Sequence, residues 1–375
     1  MALVFQGSPE PTLGVEVELQ IVDIESRKLV SKGPEILKHF KDDINIKPEL
    51  LQSTIEINTG ICRNVKEVKR DLTNLMSRLL PISDDMGCAF ISAGTHPTAT
   101  WPEQDITDIA RYKNLIDRVQ WPAQRLMIFG LHVHVGINSP EKAIAVFNSL
   151  TTYIPHFLAI SASSPFWQSY DTGLASVRAK VFETLPTAGL PYRMLNWAEF
   201  QRFMKTLVAA NAIETVREVW WDIRPHPGFG TVELRMCDGI PTMSELLSIV
   251  ALAHCTVVWL SEQYDEGNYL PLHRHWVVRE NKWRASRWSL EGQIIIDEEG
   301  NQKTISEEIR DFLEILQPVS VKLGCQQELQ DVRGILKRGP SYKRQRNIYN
   351  KTGNFNAVVD ALVEEWRNDC IVESV

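Results

Sequence analysis

Residues 12–23 read TLGVEVELQIVD, and their alternation decides the fold class. Leu13, Val15, Val17, Leu19 and Ile21 fall on one side of an extended chain; Glu16, Glu18 and Gln20 fall on the other. A period of two marks a half-buried β-strand, because successive side chains leave a strand on opposite faces. The pattern recurs in STIEINTG (53–60), where Ile55 and Ile57 oppose Glu56 and Asn58. In GLHVHVGI (130–137), Leu131, Val133, Val135 and Ile137 oppose His132 and His134. In GTVELRMCD (230–238), Val232, Leu234 and Met236 oppose Thr231, Glu233, Arg235 and Cys237, which makes Cys237 a small filler of the polar face.

Between these strands lie helix signals without a regular strand–helix–strand rhythm. That favours an α+β fold, an antiparallel sheet with flanking helices, over a doubly wound one. Asn64 with Glu67 three residues on, Ser139 before Pro140, and Thr242 with Glu245 are N-terminal helix signatures. Thr242 opens the apolar stretch Leu246–Leu260, which contains His254. It is shorter than the roughly 18 residues of a membrane span and reads as a buried helix. Cys88–Ala93 reads as a short strand, 101–105 as a loop, 108–124 as a helix, 294–305 as a hairpin, and the chain from Ile305 onward as mostly helical. The Ser-, Gly- and Pro-rich segment 161–189 is too long for a plain connection and reads as a functional loop. Trp220 and Trp221 read as core, and the basic run KRGPSYKRQR (337–346) as a solvated or substrate-facing surface.

The chain has 375 residues, 44% hydrophobic and 23% charged, enough for a sizeable globular core. A net charge of -7 argues against a general nucleic-acid binder. Six scattered cysteines without a CxxC pair read as reduced thiols of a cytoplasmic protein. The start, MALVFQGSPEP, lacks the basic and apolar regions of a secretory signal.

If the alternating strands share a sheet, one face carries Glu16, Glu18, Glu56, His132, His134, Glu233 and Arg235. Crowded carboxylates are costly unless a cation neutralises them. An oxygen-rich set with some imidazole suits Mg²⁺ or Mn²⁺ and does not suit a thiolate zinc site. Each strand alone also fits a solvated sheet face with ordinary hydrogen-bonded histidines, so periodicity leaves both readings open. No GxxxxGK[ST], GxSxG or HExxH string occurs.

Six stretches carry a more specific signal: GVEVELQIVD, STIEINTG, GLHVHVGI, SASSPFWQSYDTG (161–173), DIRPHPGFGTVELRMCDG (222–239) and KRQRNIYNKTGNFNAVVDALV (343–363). In this set and order the chain resembles the carboxylate–amine ligases of the type 2 glutamate–cysteine ligase group. The resemblance runs over nearly the whole chain and implies one domain, 1–375, with a curved antiparallel sheet like the catalytic domain of glutamine synthetase. It implies ATP and Mg²⁺ (or Mn²⁺) as cofactors, and glutamate and cysteine as small-molecule substrates. It implies neither nucleic-acid nor membrane partners, is compatible with a homo-oligomer, and points to activation through an acyl phosphate. Residue by residue, it implies metal ligation by Glu16, Glu18, Glu49, Glu56, His132 and Glu233. His134 would lie near the nucleotide phosphates, and Arg224 and Arg235 would hold phosphate or a substrate carboxylate. Val17 stands where many members have a third acidic residue; on the core side, it leaves the metal face intact. A small-molecule kinase of the same fold, a non-catalytic nucleotide-binding member and a zinc hydrolase built on the two histidines are the competing expectations.

Overall fold

The structure is a computed structural model and describes residues 3–370. Seven strands form its large sheet: Leu13–Asp23 (β1), Ile46–Pro48 (β2), Thr54–Asn58 (β3), Cys88–Ile91 (β4), Gly130–Gly136 (β5), Ile223–His226 (β6) and Thr231–Asp238 (β7). They run in the order β6-β7-β5-β1-β3-β2, and β4 also pairs β1. All these pairings are antiparallel. Strand β1 is the spine. One of its edges pairs β3, while the other is shared by β5 at residues 13–17 and β4 at residues 20–23.

The alternation translates directly into burial. Leu13, Val15, Val17, Leu19 and Ile21 join Ile55, Ile57, Leu131, Val133, Val135, Val232 and Leu234 in one apolar core. Burying each such side chain is worth about 1.5–3 kcal/mol. Helices Val65–Asp85, Pro140–Leu150 and Met243–Asp265 supply the other half of that core and contact the sheet strands. The caps form as the sequence predicts: Asn64, Ser139 and Thr242 side chains accept from the backbone N–H groups of Glu67, Lys142 and Glu245. Two stretches, Pro140–Ser161 and Met243–Asp265, are long and apolar enough to cross a membrane, yet most of each is buried inside the protein. The hairpin pairs 293–295 with 302–304. All six cysteines are free and buried.

Several expectations are corrected. The helix expected over 108–124 is two, Ala110–Val119 and Trp121–Gln124, broken at Gln120 with φ 57°. Pro122 is the cause: it lacks an N–H and its ring crowds the preceding turn. The 101–105 loop contains a short 3₁₀ turn at Trp101–Glu103, and β4 stops at Ile91 rather than Ala93. The register between β7 and β5 slips by one residue between Leu234 and Cys237. This bulge places Cys237 opposite Leu131, on the core side, so Cys237 is not a polar-face filler. The basic run is solvated in part, with Lys337 and Arg338 exposed, and it does not line the sheet-face cavity. Arg338 and Arg344 pair with Glu245, Arg344 also with Glu365, and Arg346 with Asp171, fastening helices to one another and to the 161–189 segment.

Candidate active site

The polar face of the sheet is assembled by register. Glu16 lies opposite His132, Glu18 opposite Glu56, Glu233 opposite both His134 and Arg224. Cross-strand partners share a face, so the outward groups of five strands meet. Glu49 follows the three-residue strand β2 and turns onto the same cavity. That cavity, about 370 Å³, is lined by all nine residues of the expected site except Glu233, which lies directly beneath it with no exposed surface.

Two groups of ligand-type atoms form there, each with its members within 4.8 Å of one another: Glu16, His134 and Glu233, and Glu18, Glu49 and Glu56. In the mixed group, His134 Nε2 lies 3.6 Å from a Glu16 oxygen and 3.7 Å from a Glu233 oxygen. Its Nδ1 is engaged with the Thr231 hydroxyl at 3.0 Å, but the buried Nε2 has no hydrogen-bond partner. A buried imidazole nitrogen left open between two carboxylates fits a divalent cation. His132 stands between the groups, 3.1 Å from Glu16 through Nδ1 and 4.0 Å from Glu18 through Nε2. Of the two histidines, it is His134 that groups with Glu16 and Glu233. Gly14 lies opposite it on β1 and sets no side chain beside the ring.

The electrostatics of the two groups differ. Burial alone would raise the Glu16 carboxyl, but the hydrogen bond from His132 and the proximity of both His132 and His134 hold it well below the usual carboxylate range. Burial likewise opposes ionisation of Glu233, and Arg224 and Arg235 override it, so Glu233 also titrates far below that range. Arg224 reaches one Glu233 oxygen at 2.6 Å, and Arg235 donates to the other. In the second group, burial pushes Glu18 up to about 7, tempered by Arg178 and aggravated by Glu56. Burial and the Glu18 charge push Glu49 up to about 7. Burial with Glu16 and Glu49 nearby raises Glu56 well above its ordinary value. Three half-buried acids at close range share too little positive charge, and an oxygen-only trio of this kind suits Mg²⁺ or Mn²⁺. Burial and Arg235 lower the His132 imidazole to about 4, leaving it neutral near pH 7.

Further cavity residues carry no signal in the alternation. Lys47, Arg111, Arg178 and Arg217 add positive charge to the walls. Trp220, expected in the core, lines the cavity, whereas Trp221 is core as expected. His226 stacks on Phe229 with ring centroids 4.0 Å apart and meets His134 edge-on. The segment 161–189 does contribute, through Arg178, Phe182 and Leu185.

Comparison with known proteins identifies the family and the fold. The family model described as glutamate–cysteine ligase family 2 matches residues 12–361. A Frankia alni protein named "Putative glutamate–cysteine ligase 2-1" is 48% identical over 372 residues, covering 97% of each chain. A Thermobifida fusca protein named "Putative glutamate–cysteine ligase 2" is 46% identical over 374 residues, covering 98% of this chain and 94% of its own. Among solved structures, glutamate–cysteine ligase of Francisella tularensis in complex with AMP superposes with TM-score 0.73 at 12% identity, over 98% of this chain and 89% of that one. A bifunctional glutathione synthetase of Pasteurella multocida matches with TM-score 0.67 at 14% identity, over 96% of this chain and 52% of that one. The fold is therefore the α+β architecture of those enzymes, and the chain belongs to glutamate–cysteine ligase family 2.

Proposed function

We propose that this chain is an ATP-dependent carboxylate–amine ligase that joins glutamate to cysteine, releasing ADP and phosphate. The observation that carries the reading is the pairing of two ligand groups, Glu16/His134/Glu233 and Glu18/Glu49/Glu56, on the floor of one arginine-walled cavity. Family membership and the relatives' names support the substrate pair.

Glu18, Glu49 and Glu56 would hold one Mg²⁺, and Glu16, His134 and Glu233, with His132 alongside, a second. Mn²⁺ would satisfy the same oxygen-rich sets. Bound there, such ions supply neutralising charge for phosphate oxygens. The chain's own part is to position and to neutralise. Arg224 and Arg235, permanent cations with planar donor forks, orient the phosphate or the substrate carboxylate. Phosphorylation of the glutamate side-chain carboxylate by ATP would give an acyl phosphate; attack by the amine would form the amide and expel phosphate. No side chain need become covalently modified. The strand-borne carboxylates are read as metal ligands, not as general acids or bases.

We further propose that residues 1–375 act as one catalytic domain and that the enzyme is cytoplasmic; six free, buried thiols agree with a reducing compartment. Incubation with glutamate, cysteine, ATP and Mg²⁺ tests the activity. ADP release that depends on both amino acids, with a γ-glutamyl amide identified by mass spectrometry, is expected. A stable phosphorylated amino acid without amide would identify a kinase instead. Absence of amino-acid-dependent ADP release would overturn the reading.

A further inference from the structure

Cys255 and Cys325 lie 70 residues apart in the chain, yet their sulfurs are 3.6 Å from one another. Both are buried, at 0% and 1% exposure. Among the described residues, each sulfur finds its only hydrogen-bond partner in the other, and no other two cysteines make such a contact. The sulfurs need close by only roughly 1.5 Å to reach a disulfide distance of about 2.05 Å.

The contact joins two parts of the fold. Cys255 stands inside helix Met243–Asp265, which packs on β5. Cys325 is the N-cap of helix Gln326–Arg338 and follows helix Ile305–Leu323 after Gly324. Both of these C-terminal helices pack on Met243–Asp265. The two sulfurs are not equivalent. A helix N-terminus favours negative charge at Cys325, and the interior of a helix offers Cys255 nothing comparable. The Cys255 S–H therefore donates to Cys325. That bond lowers the Cys325 thiol, although burial opposes it, and raises the Cys255 thiol.

Access runs through the helix junction. Val321, Lys322, Gly324, Gln326 and Gln327, around Cys325, are exposed, and Gly324 takes the left-handed conformation (φ 65°) that ends the preceding helix. One terminal turn thus covers the sulfur, and such turns open locally at small cost. A pair buried behind a single turn admits a small neutral oxidant more readily than a bulky disulfide.

We propose that Cys255 and Cys325 form a peroxide-sensitive site, oxidised to a disulfide that staples the C-terminal helices to the helix behind β5. The Cys325 sulfur attacks hydrogen peroxide first. It takes one oxygen as a sulfenic acid, and the other oxygen leaves with a proton as water. The Cys255 sulfur then displaces the sulfenic hydroxyl, which takes the Cys255 proton and leaves as a second water. Two thiols and one peroxide thus give one disulfide and two waters, and a thiol reductant reverses the change by exchange. Neither cysteine lines the sheet-face cavity, so the proposal stands whichever reaction that cavity performs.

The test titrates the reduced, full-length protein with hydrogen peroxide, blocks the remaining thiols with N-ethylmaleimide and maps unreduced peptides by mass spectrometry. The expected first product joins the Cys255 and Cys325 peptides of one chain, lighter by two hydrogens, and dithiothreitol releases them. Oxidised glutathione at the same concentration should act at least about tenfold more slowly. Oxidation should raise Tm by several degrees, since the bond closes a 70-residue loop between helices already in contact. Cys255→Ser should leave a Cys325 sulfenic acid that dimedone traps, and Cys325→Ser should leave Cys255 unoxidised. If either variant misfolds, the wild-type peptide map and melting curve decide alone. Oxidation of Cys62, Cys88, Cys237 or Cys370 ahead of the pair overturns the proposal. So does a Cys325 carried to sulfinic acid beside a reduced Cys255, a chain that peroxide leaves unoxidised, or a Tm unchanged or lowered by the bond. Oxidised glutathione acting as fast as peroxide overturns the peroxide assignment, and dimedone trapping at Cys255 overturns the order of attack.

Discussion

The two ligand groups share one sheet face but arrive in opposite charge states. Glu16 and Glu233 are held ionised by histidines and arginines, whereas Glu18, Glu49 and Glu56 are driven toward the protonated form by burial and by one another. The mixed group is neutralised in advance by side chains. The carboxylate group lacks comparable positive charge and would shed protons as a cation enters. Position on a strand thus does not set the role of an acid; the partners that the register brings opposite it do.

That contrast can be broken most severely by removing one acid from each group. Glu56→Gln and Glu233→Gln should both cut kcat/KM by roughly 10²–10³-fold, since each deletes charge from the proposed metal sites. Their effects on folding should diverge. Glu56→Gln relieves a like-charge cluster and should leave the metal-free protein as stable or more so. Glu233→Gln strands two buried guanidiniums and should cost roughly 3–5 kcal/mol, read by urea unfolding. Equal stability losses in the two variants would erase the distinction between the groups.

His134→Gln sharpens the comparison. It should weaken Mn²⁺ binding at one site by at least about tenfold and leave the other unchanged, measured by paramagnetic titration. Weakening of both sites together would mean that the groups act as a single centre.

The pH dependence of the metal-free protein gives a smaller effect. Glu18 and Glu49 titrate at about 7 when folded, above the roughly 4.3 of an unfolded glutamate. Their stabilisation is therefore full below about 4.3 and is lost as pH rises through 7. Buried His132 and His226, lowered to about 4, act oppositely, and their penalty ends above the unfolded value of about 6.5. Between pH 6.5 and 8 the carboxylates should dominate. Tm should fall by several degrees in chelator, and saturating Mg²⁺ should remove the fall. A flat Tm in chelator would contradict the protonated state assigned to this group.

The smallest effect belongs to the core face. Cys237→Ala should cost about 1 kcal/mol and leave turnover unchanged, because the bulge turns this thiol into the core. A loss of activity at full stability would return Cys237 to the polar face.

How much of this was legible depends on the distance over which each signal acts. The alternation of residues 13–21, 54–58, 131–137 and 231–236 reports burial locally, and it marked the apolar core and the polar face on which the proposed ligand residues stand. Glu49 follows a strand of three residues, too short to show a period, and only the family resemblance pointed to it. The bulge before Cys237 is a single unpaired residue that alters no composition, so a strict period of two carried Cys237 to the wrong face. Arg178 sits on a five-residue helix inside a loop-rich segment. Its length and composition marked the segment as functional without saying which side chain reaches the cavity. The basic run is partly the solvated surface its composition suggests, but its ion pairs with Glu245, Glu365 and Asp171 could not be read locally, because those partners are distant in the chain.

The central claim is that this face activates a carboxylate by phosphorylation before the amine attacks. The direct measurement supplies glutamate labelled with ¹⁸O in its side-chain carboxylate, together with cysteine, ATP and Mg²⁺, and examines the released phosphate by mass spectrometry. An acyl phosphate transfers one labelled oxygen to each phosphate. Phosphate carrying no label, or release of AMP and pyrophosphate in place of ADP and phosphate, would contradict the account.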